Sequence, residues 1–212
     1  MFNIVCFGDS NTYGYKPDGS GRFNETIRWT GRLQAKLGAE YRIHEEGLCG
    51  RTTVFTDALR ENRRGIDVIG TVIESHSPLD LLIIMLGTND CKKRYGASAG
   101  VIAKGLKQVV EKAKKSSNTA FKILIISPIH LDDNVGEEGY DTEFNQDSAN
   151  VSKQLAKEYE RVASDCQAEF IDASKYAGPS DVDREHLDEK GHAALADAIY
   201  HKVITMNREN VT

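Results

Sequence analysis

Four short blocks carry residue types able to do acyl-transfer chemistry. They are Gly8-Asp9-Ser10, Gly47-Leu48-Cys49-Gly50-Arg51-Thr52-Thr53, Gly87-Thr88-Asn89-Asp90 and Asp183-Arg184-Glu185-His186. A serine hydroxyl is a weak nucleophile until a neighbouring base takes its proton. A histidine can be that base, and a carboxylate on its other ring nitrogen fixes the tautomer and stabilises the imidazolium. Asp183 and His186 are three residues apart, so one short turn can join them. The developing oxyanion needs fixed donors, for which the Ser10 and Gly50 N–H groups and the Asn89 amide are candidates. Each residue alone also has an ordinary explanation: Ser10 or Asp183 as a helix cap, Asn89 or Gly50 as a turn residue, His186 as a surface histidine. Their joint placement argues for chemistry, since each block follows an expected strand or lies in the final loop.

The elements that must position these blocks are legible from periodicity. Strand-like runs predict strands at Asn3–Phe7, Tyr41–Glu45, Leu81–Leu86, Ile123–Ser127 and Glu169–Ile171. Apolar residues at steps of three and four predict helices over Thr26–Leu37, Gly65–Ser75, Ala99–Lys115, Phe144–Cys166 and Asp188–Met206. Strand and helix thus alternate about five times, which calls for a parallel sheet joined by right-handed crossovers. The expected fold is α/β, a three-layer αβα arrangement around a five-stranded parallel sheet. Ligands bind beyond the carboxyl ends of the strands in such sheets, where Ser10 falls. The irregular stretches Tyr15–Glu25, Leu131–Thr142 and Tyr176–Glu185 are expected to be surface loops that wall a pocket.

Composition narrows the class. At 212 residues, 40% hydrophobic and 28% charged, the chain suits one globular domain over 1–212. A net charge of −5 argues against nucleic acid and anionic membranes as partners. The basic clusters Lys92-Lys93-Arg94 and Lys112-Lys114-Lys115 are read as solvated faces. No basic segment followed by a long apolar stretch opens the sequence, and no apolar run is long enough to span a bilayer. The expectation is a cytoplasmic protein with no membrane partner. Cys6, Cys49, Cys91 and Cys166 lack CxxC spacing, so free thiols and no metal site are expected.

Together the four blocks resemble the SGNH (GDSL-type) hydrolase family, in its order and from residue 7 to residue 186. Cys6-Phe7-Gly8-Asp9-Ser10, Arg28-Trp29-Thr30-Gly31, Glu46-Gly47-Leu48, Arg51-Thr52-Thr53 and Ile83-Ile84-Met85-Leu86-Gly87-Thr88-Asn89-Asp90 are similar to its bacterial arylesterase/acyltransferase subgroup. The resemblance implies Ser10 as nucleophile, His186 as base and Asp183 as its orienter, with Ser10, Gly50 and Asn89 forming the oxyanion hole. It also implies a flavodoxin-like strand order, 2-1-3-4-5, a mechanism without metal or cofactor, and homo-oligomers like those formed by relatives. Asn11 departs from the leucine of the commonest motif and is expected to alter packing beside the nucleophile more than chemistry.

The function expected is serine esterase: hydrolysis of short-chain acyl esters, acetyl above all, of small alcohols or carbohydrates through an acyl-serine, with acyl transfer when an alcohol replaces water. The alternatives are a lysophospholipase or thioesterase of the same family and a non-catalytic ligand-binding module on the same sheet. A nucleotide-binding flavodoxin-like protein is disfavoured, because neither GxxxxGK[ST] nor GxGxxG occurs.

Overall fold

The computed structural model describes residues 1–208. Five strands, β1 (Phe2–Gly8), β2 (Tyr41–Gly47), β3 (Leu81–Met85), β4 (Lys122–Ser127) and β5 (Glu169–Asp172), form one parallel sheet in the order β2-β1-β3-β4-β5. Among the described residues, six α-helices accompany them: α1 (Ser10–Tyr13), α2 (Trp29–Leu37), α3 (Gly65–Ser75), α4 (Ala99–Lys115), α5 (Gln146–Asp165) and α6 (Glu189–Arg208).

Strand side chains alternate between the two faces of a sheet, and both faces here are covered. Val5, Phe7, Leu82, Ile84, Ile123 and Ile125 join the apolar sides of α3, α4 and α5 in one core. Ile4, Cys6, Ile83, Met85, Leu124 and Ile126 join Trp29 and Leu33 of α2 and Leu195, Ala196 and Ile199 of α6 in the other. Burial on both sides explains why β1 and β3 read as continuous apolar runs rather than alternating ones. The edge strand β2 carries His44, Glu45 and Glu46 and is only half-buried.

The expected strands and helices occur in the expected order, with local corrections at helix starts. α2 begins at Trp29 rather than Thr26, because the Asn24 side chain accepts the Thr26 N–H at 3.0 Å and holds the preceding residues in a turn. α5 begins at Gln146, where Asn145 and Ser148 form a reciprocal cap. The short α1 had no periodic signal. Among the described residues, no helix is long and apolar enough to cross a membrane.

The carboxyl ends of β1, β2 and β3 share one rim with the loop that precedes α6. Gly8 ends β1 against Thr12 and the Met85 carbonyl so closely that a Cβ would lie 2.0 Å from Thr12 Oγ1. Only glycine permits that turn, which lifts Ser10 to the rim.

Candidate active site

Ser10 is the first residue of α1, whose N-cap Asp9 accepts the Asn11 N–H at 3.0 Å. Its Oγ lies 2.8 Å from His186 Nε2. The other ring nitrogen of His186 lies 2.6 Å from Asp183 Oδ2. Asp183 Oδ1 accepts the backbone N–H groups of Glu185 at 3.1 Å and His186 at 3.0 Å, so the carboxylate closes its own turn under the imidazole. A carboxylate, an imidazole and a hydroxyl thus stand in one hydrogen-bonded run.

The loop that carries His186 is held from three sides. The Ser180 N–H donates to the His186 carbonyl at 2.7 Å. Arg184 adopts a left-handed backbone with φ 64°, an uncommon conformation for a non-glycine residue. Its guanidinium donates to the Asn134 carbonyl at 3.0 Å and pairs with Glu137 at 2.9 Å. The Leu187 N–H donates to Asn11 Oδ1 at 2.9 Å, tying this loop to α1. The Asn11 carbonyl in turn accepts the Trp29 indole N–H at 3.1 Å, and the Trp29 backbone N–H donates to His192 Nδ1 on α6 at 3.2 Å.

The candidate oxyanion donors are fastened together in the same way. Asp90 accepts the Thr53 N–H at 2.9 Å, joining the segment after β3 to the loop after β2. Asn89 donates to the Arg51 carbonyl at 3.2 Å, which uses one of its two amide hydrogens. Gly50 has φ 82°, a left-handed conformation suited to glycine. Ser10, Gly50, Asn89, Asp183 and His186 all line one cavity of about 580 Å³. The five residues singled out from the sequence therefore converge on one concavity.

Charge is concentrated here. Burial acts to lower the His186 pKa, but Glu185, Asp183 and Asp9 outweigh it and push it up to about 9. Burial acts to raise the Asp183 carboxyl, while the His186 ring and the backbone N–H groups hold it below the usual range. Burial pushes Asp9 up to about 7 and Asp90 up to about 6. Among the described residues, no group of three or more His, Cys, Asp or Glu could hold a metal ion. All four cysteines are free, and Cys49 lines the cavity.

Several cavity residues were not singled out from the sequence. Tyr15 stacks at a tilt on His186 with ring centroids 4.8 Å apart. Arg60 and Arg63 come from the loop after β2, and Glu185 from inside the Asp183–His186 block. Lys92 is a correction to the solvated reading of the first basic cluster: it is 2% exposed and pairs with Glu143 at 2.7 Å. Its partner is 51 positions away, so sequence proximity gave no sign of it. Asn11 does more than alter packing, since its side chain accepts the bond from Leu187.

Residues 6–194 match the GDSL-like lipase/acylhydrolase family. No match is found among curated proteins. A native aryl esterase from M. smegmatis is 31% identical and superposes with a TM-score of 0.88, over 97% of this chain and 99% of that one. A carbohydrate acetylesterase from Sinorhizobium meliloti is also 31% identical, with a TM-score of 0.87 over 97% of this chain and 100% of that one.

Proposed function

The chain belongs to the GDSL-like lipase/acylhydrolase family, and on that premise we propose that it is a serine esterase cleaving short-chain acyl esters of small alcohols or carbohydrates. The family makes it a carboxylic ester hydrolase; the nucleophile, the intermediate and the substrate are our reading. The observation that carries it is the run from Asp183 to His186 at 2.6 Å and from His186 to Ser10 at 2.8 Å.

In this reading His186 Nε2 takes the Ser10 proton as Oγ attacks the ester carbonyl. The Ser10 and Gly50 N–H groups and the Asn89 amide receive the oxyanion. His186 then passes the proton to the leaving alcohol, which departs as acyl-Ser10 forms. Water, activated by the same imidazole, releases the acid; an alcohol in its place gives acyl transfer. Asp183 keeps the Nδ1 hydrogen in place and stabilises the imidazolium. The mixed-charge cavity favours a polar alcohol portion. The neighbour described as a carbohydrate acetylesterase supports a short acyl group.

The test is covalent labelling with a fluorophosphonate, followed by peptide mapping, beside an ester panel of increasing acyl length. Modification confined to Ser10 and a rate maximum at acetyl are expected. An unmodified Ser10 with ester turnover intact would remove the mechanism, and a maximum at long acyl chains would remove the substrate class.

A further inference from the structure

Beside His186 the cavity holds a carboxyl for which the acyl-transfer steps have no use. Glu185 is 6% exposed and lines the cavity. Its Oε1 stands 3.8 Å from His186 Nε2, the nitrogen that faces Ser10 Oγ. Among the described residues no hydrogen bond reaches this carboxyl, although its own backbone N–H is fixed on Asp183. The carboxyl faces the cavity with no donor from the described residues, so a ligand entering there can supply one.

The reaction itself says what arrives there. To hand its proton to the leaving alcohol, His186 Nε2 must come within about 3 Å of the ester's bridging oxygen. Substituents on the neighbouring carbon of that alcohol then fall within reach of a carboxyl 3.8 Å from Nε2. We infer that Glu185 determines specificity by accepting a hydrogen bond from a hydroxyl adjacent to the scissile oxygen, so that esters of diols, polyols and sugars are favoured over esters of simple alcohols. This rests on the serine-esterase reading above.

Two further features agree with it. Burial pushes the Glu185 pKa up, against the opposing pull of His186 and Lys92; the carboxyl and the carboxylate both keep an acceptor oxygen, so the role survives either state. The rest of the wall mixes Arg60 and Arg63 with Asp18 and Asp141, donors and acceptors suited to several hydroxyls. A site built to bond a substrate hydroxyl strongly rejects the analogue lacking it, because its own buried group is left unpaired.

Glycerol 1-acetate and propyl acetate make the comparison, since they share the acetyl group and a three-carbon alcohol. The wild-type chain is expected to show the higher kcat/KM on glycerol 1-acetate. In Glu185→Leu the ratio of the two should fall by about tenfold or more, the scale of one hydrogen bond to a charged group. Glu185→Gln, which keeps an acceptor oxygen, should hold the ratio within about threefold of wild type. Any change in His186 titration acts on both esters and cancels in the ratio. Equal ratios in wild type and Glu185→Leu, with Ser10 still labelled by fluorophosphonate, would overturn the inference while leaving the esterase reading intact. A wild-type chain with no preference for the hydroxylated ester would do the same without recourse to any variant. Unlabelled Ser10 with undiminished turnover in Ser10→Ala would overturn both.

Discussion

Asn11 Oδ1 accepts the Leu187 N–H at 2.9 Å, across 176 positions of sequence. The bond joins the residue after the proposed nucleophile to the residue after the proposed base, so it ties together the two segments that carry Ser10 and His186. Asn11→Leu removes the acceptor and orphans a buried N–H, at a cost of about 1–3 kcal/mol in stability. Misplacement of a reacting group by about 1 Å can cost on the order of 10²-fold. The expected outcome is a fall of about tenfold or more in kcat with KM little changed. A variant of unaltered kcat would show that the other bonds of the loop suffice.

If the proposed triad operates, Ser10→Ala should abolish fluorophosphonate labelling and lower turnover by several orders of magnitude, because triad members act as a unit. Asn89→Ala should lower kcat by about 10²–10³ if its free amide hydrogen meets the oxyanion. Steady-state kinetics on p-nitrophenyl acetate reads both. An Asn89→Ala enzyme with wild-type kcat would confine Asn89 to bracing the Arg51 carbonyl.

The raised His186 pKa sets the pH profile. In the proposed mechanism the ring accepts the Ser10 proton only when neutral, and with a pKa pushed up from 6.5 to about 9 it is protonated over most of the neutral range. The acidic limb of kcat/KM should therefore lie on the alkaline side of an ordinary histidine, with activity rising as pH rises. Glu185 is the largest contributor to that rise, so Glu185→Gln should move the limb to lower pH. A limb at the ordinary histidine value in both proteins would contradict this assignment of charge.

His192 is fully buried, accepts from the Trp29 N–H through Nδ1, and has no partner on Nε2 among the described residues. Burial is the main cause that lowers its pKa from 6.5 to about 4. The unfolded chain thus binds a proton between those values that the folded chain refuses. The contribution is intact above pH 6.5 and is lost as pH falls towards 4, on the order of 3 kcal/mol in all. Asp9 and Asp90, whose pKa values are raised, change stability in the opposite direction. His192→Asn keeps an acceptor without the titration, and denaturant unfolding of both proteins isolates the term. The stability gap between wild type and variant should narrow from neutral to acid pH; a constant gap would refute it.

Much of this was legible in the sequence, and the failures have physical reasons. Apolar runs marked β1, β3 and β4, because strands buried on both faces tolerate little else. Ser10, Asn89, Asp183 and His186 stood out by type, since a hydroxyl and an amide after strands and a carboxylate and an imidazole in the final loop have chemistry in common. α1 was missed because four residues carry no helical period. Thr26 was assigned to α2 because Ile27, Leu33 and Leu37 share its spacing, whereas a side chain outside the pattern, Asn24, decides where the helix starts. Glu185 was passed over because a glutamate beside arginine in a polar loop reads as solvated. Its burial belongs to the assembled cavity and has no local signature.

The clamp between α1 and the loop before α6 makes turnover a late event in the life of the polypeptide. On the proposed mechanism, a nascent chain halted on the ribosome before residue 186 carries the serine but nothing to activate it, and stays silent. Severed within the 131–142 loop, the protein would yield one inert fragment bearing the hydroxyl and another bearing the imidazole. Ester cleavage would then report their reunion, much as a split reporter does.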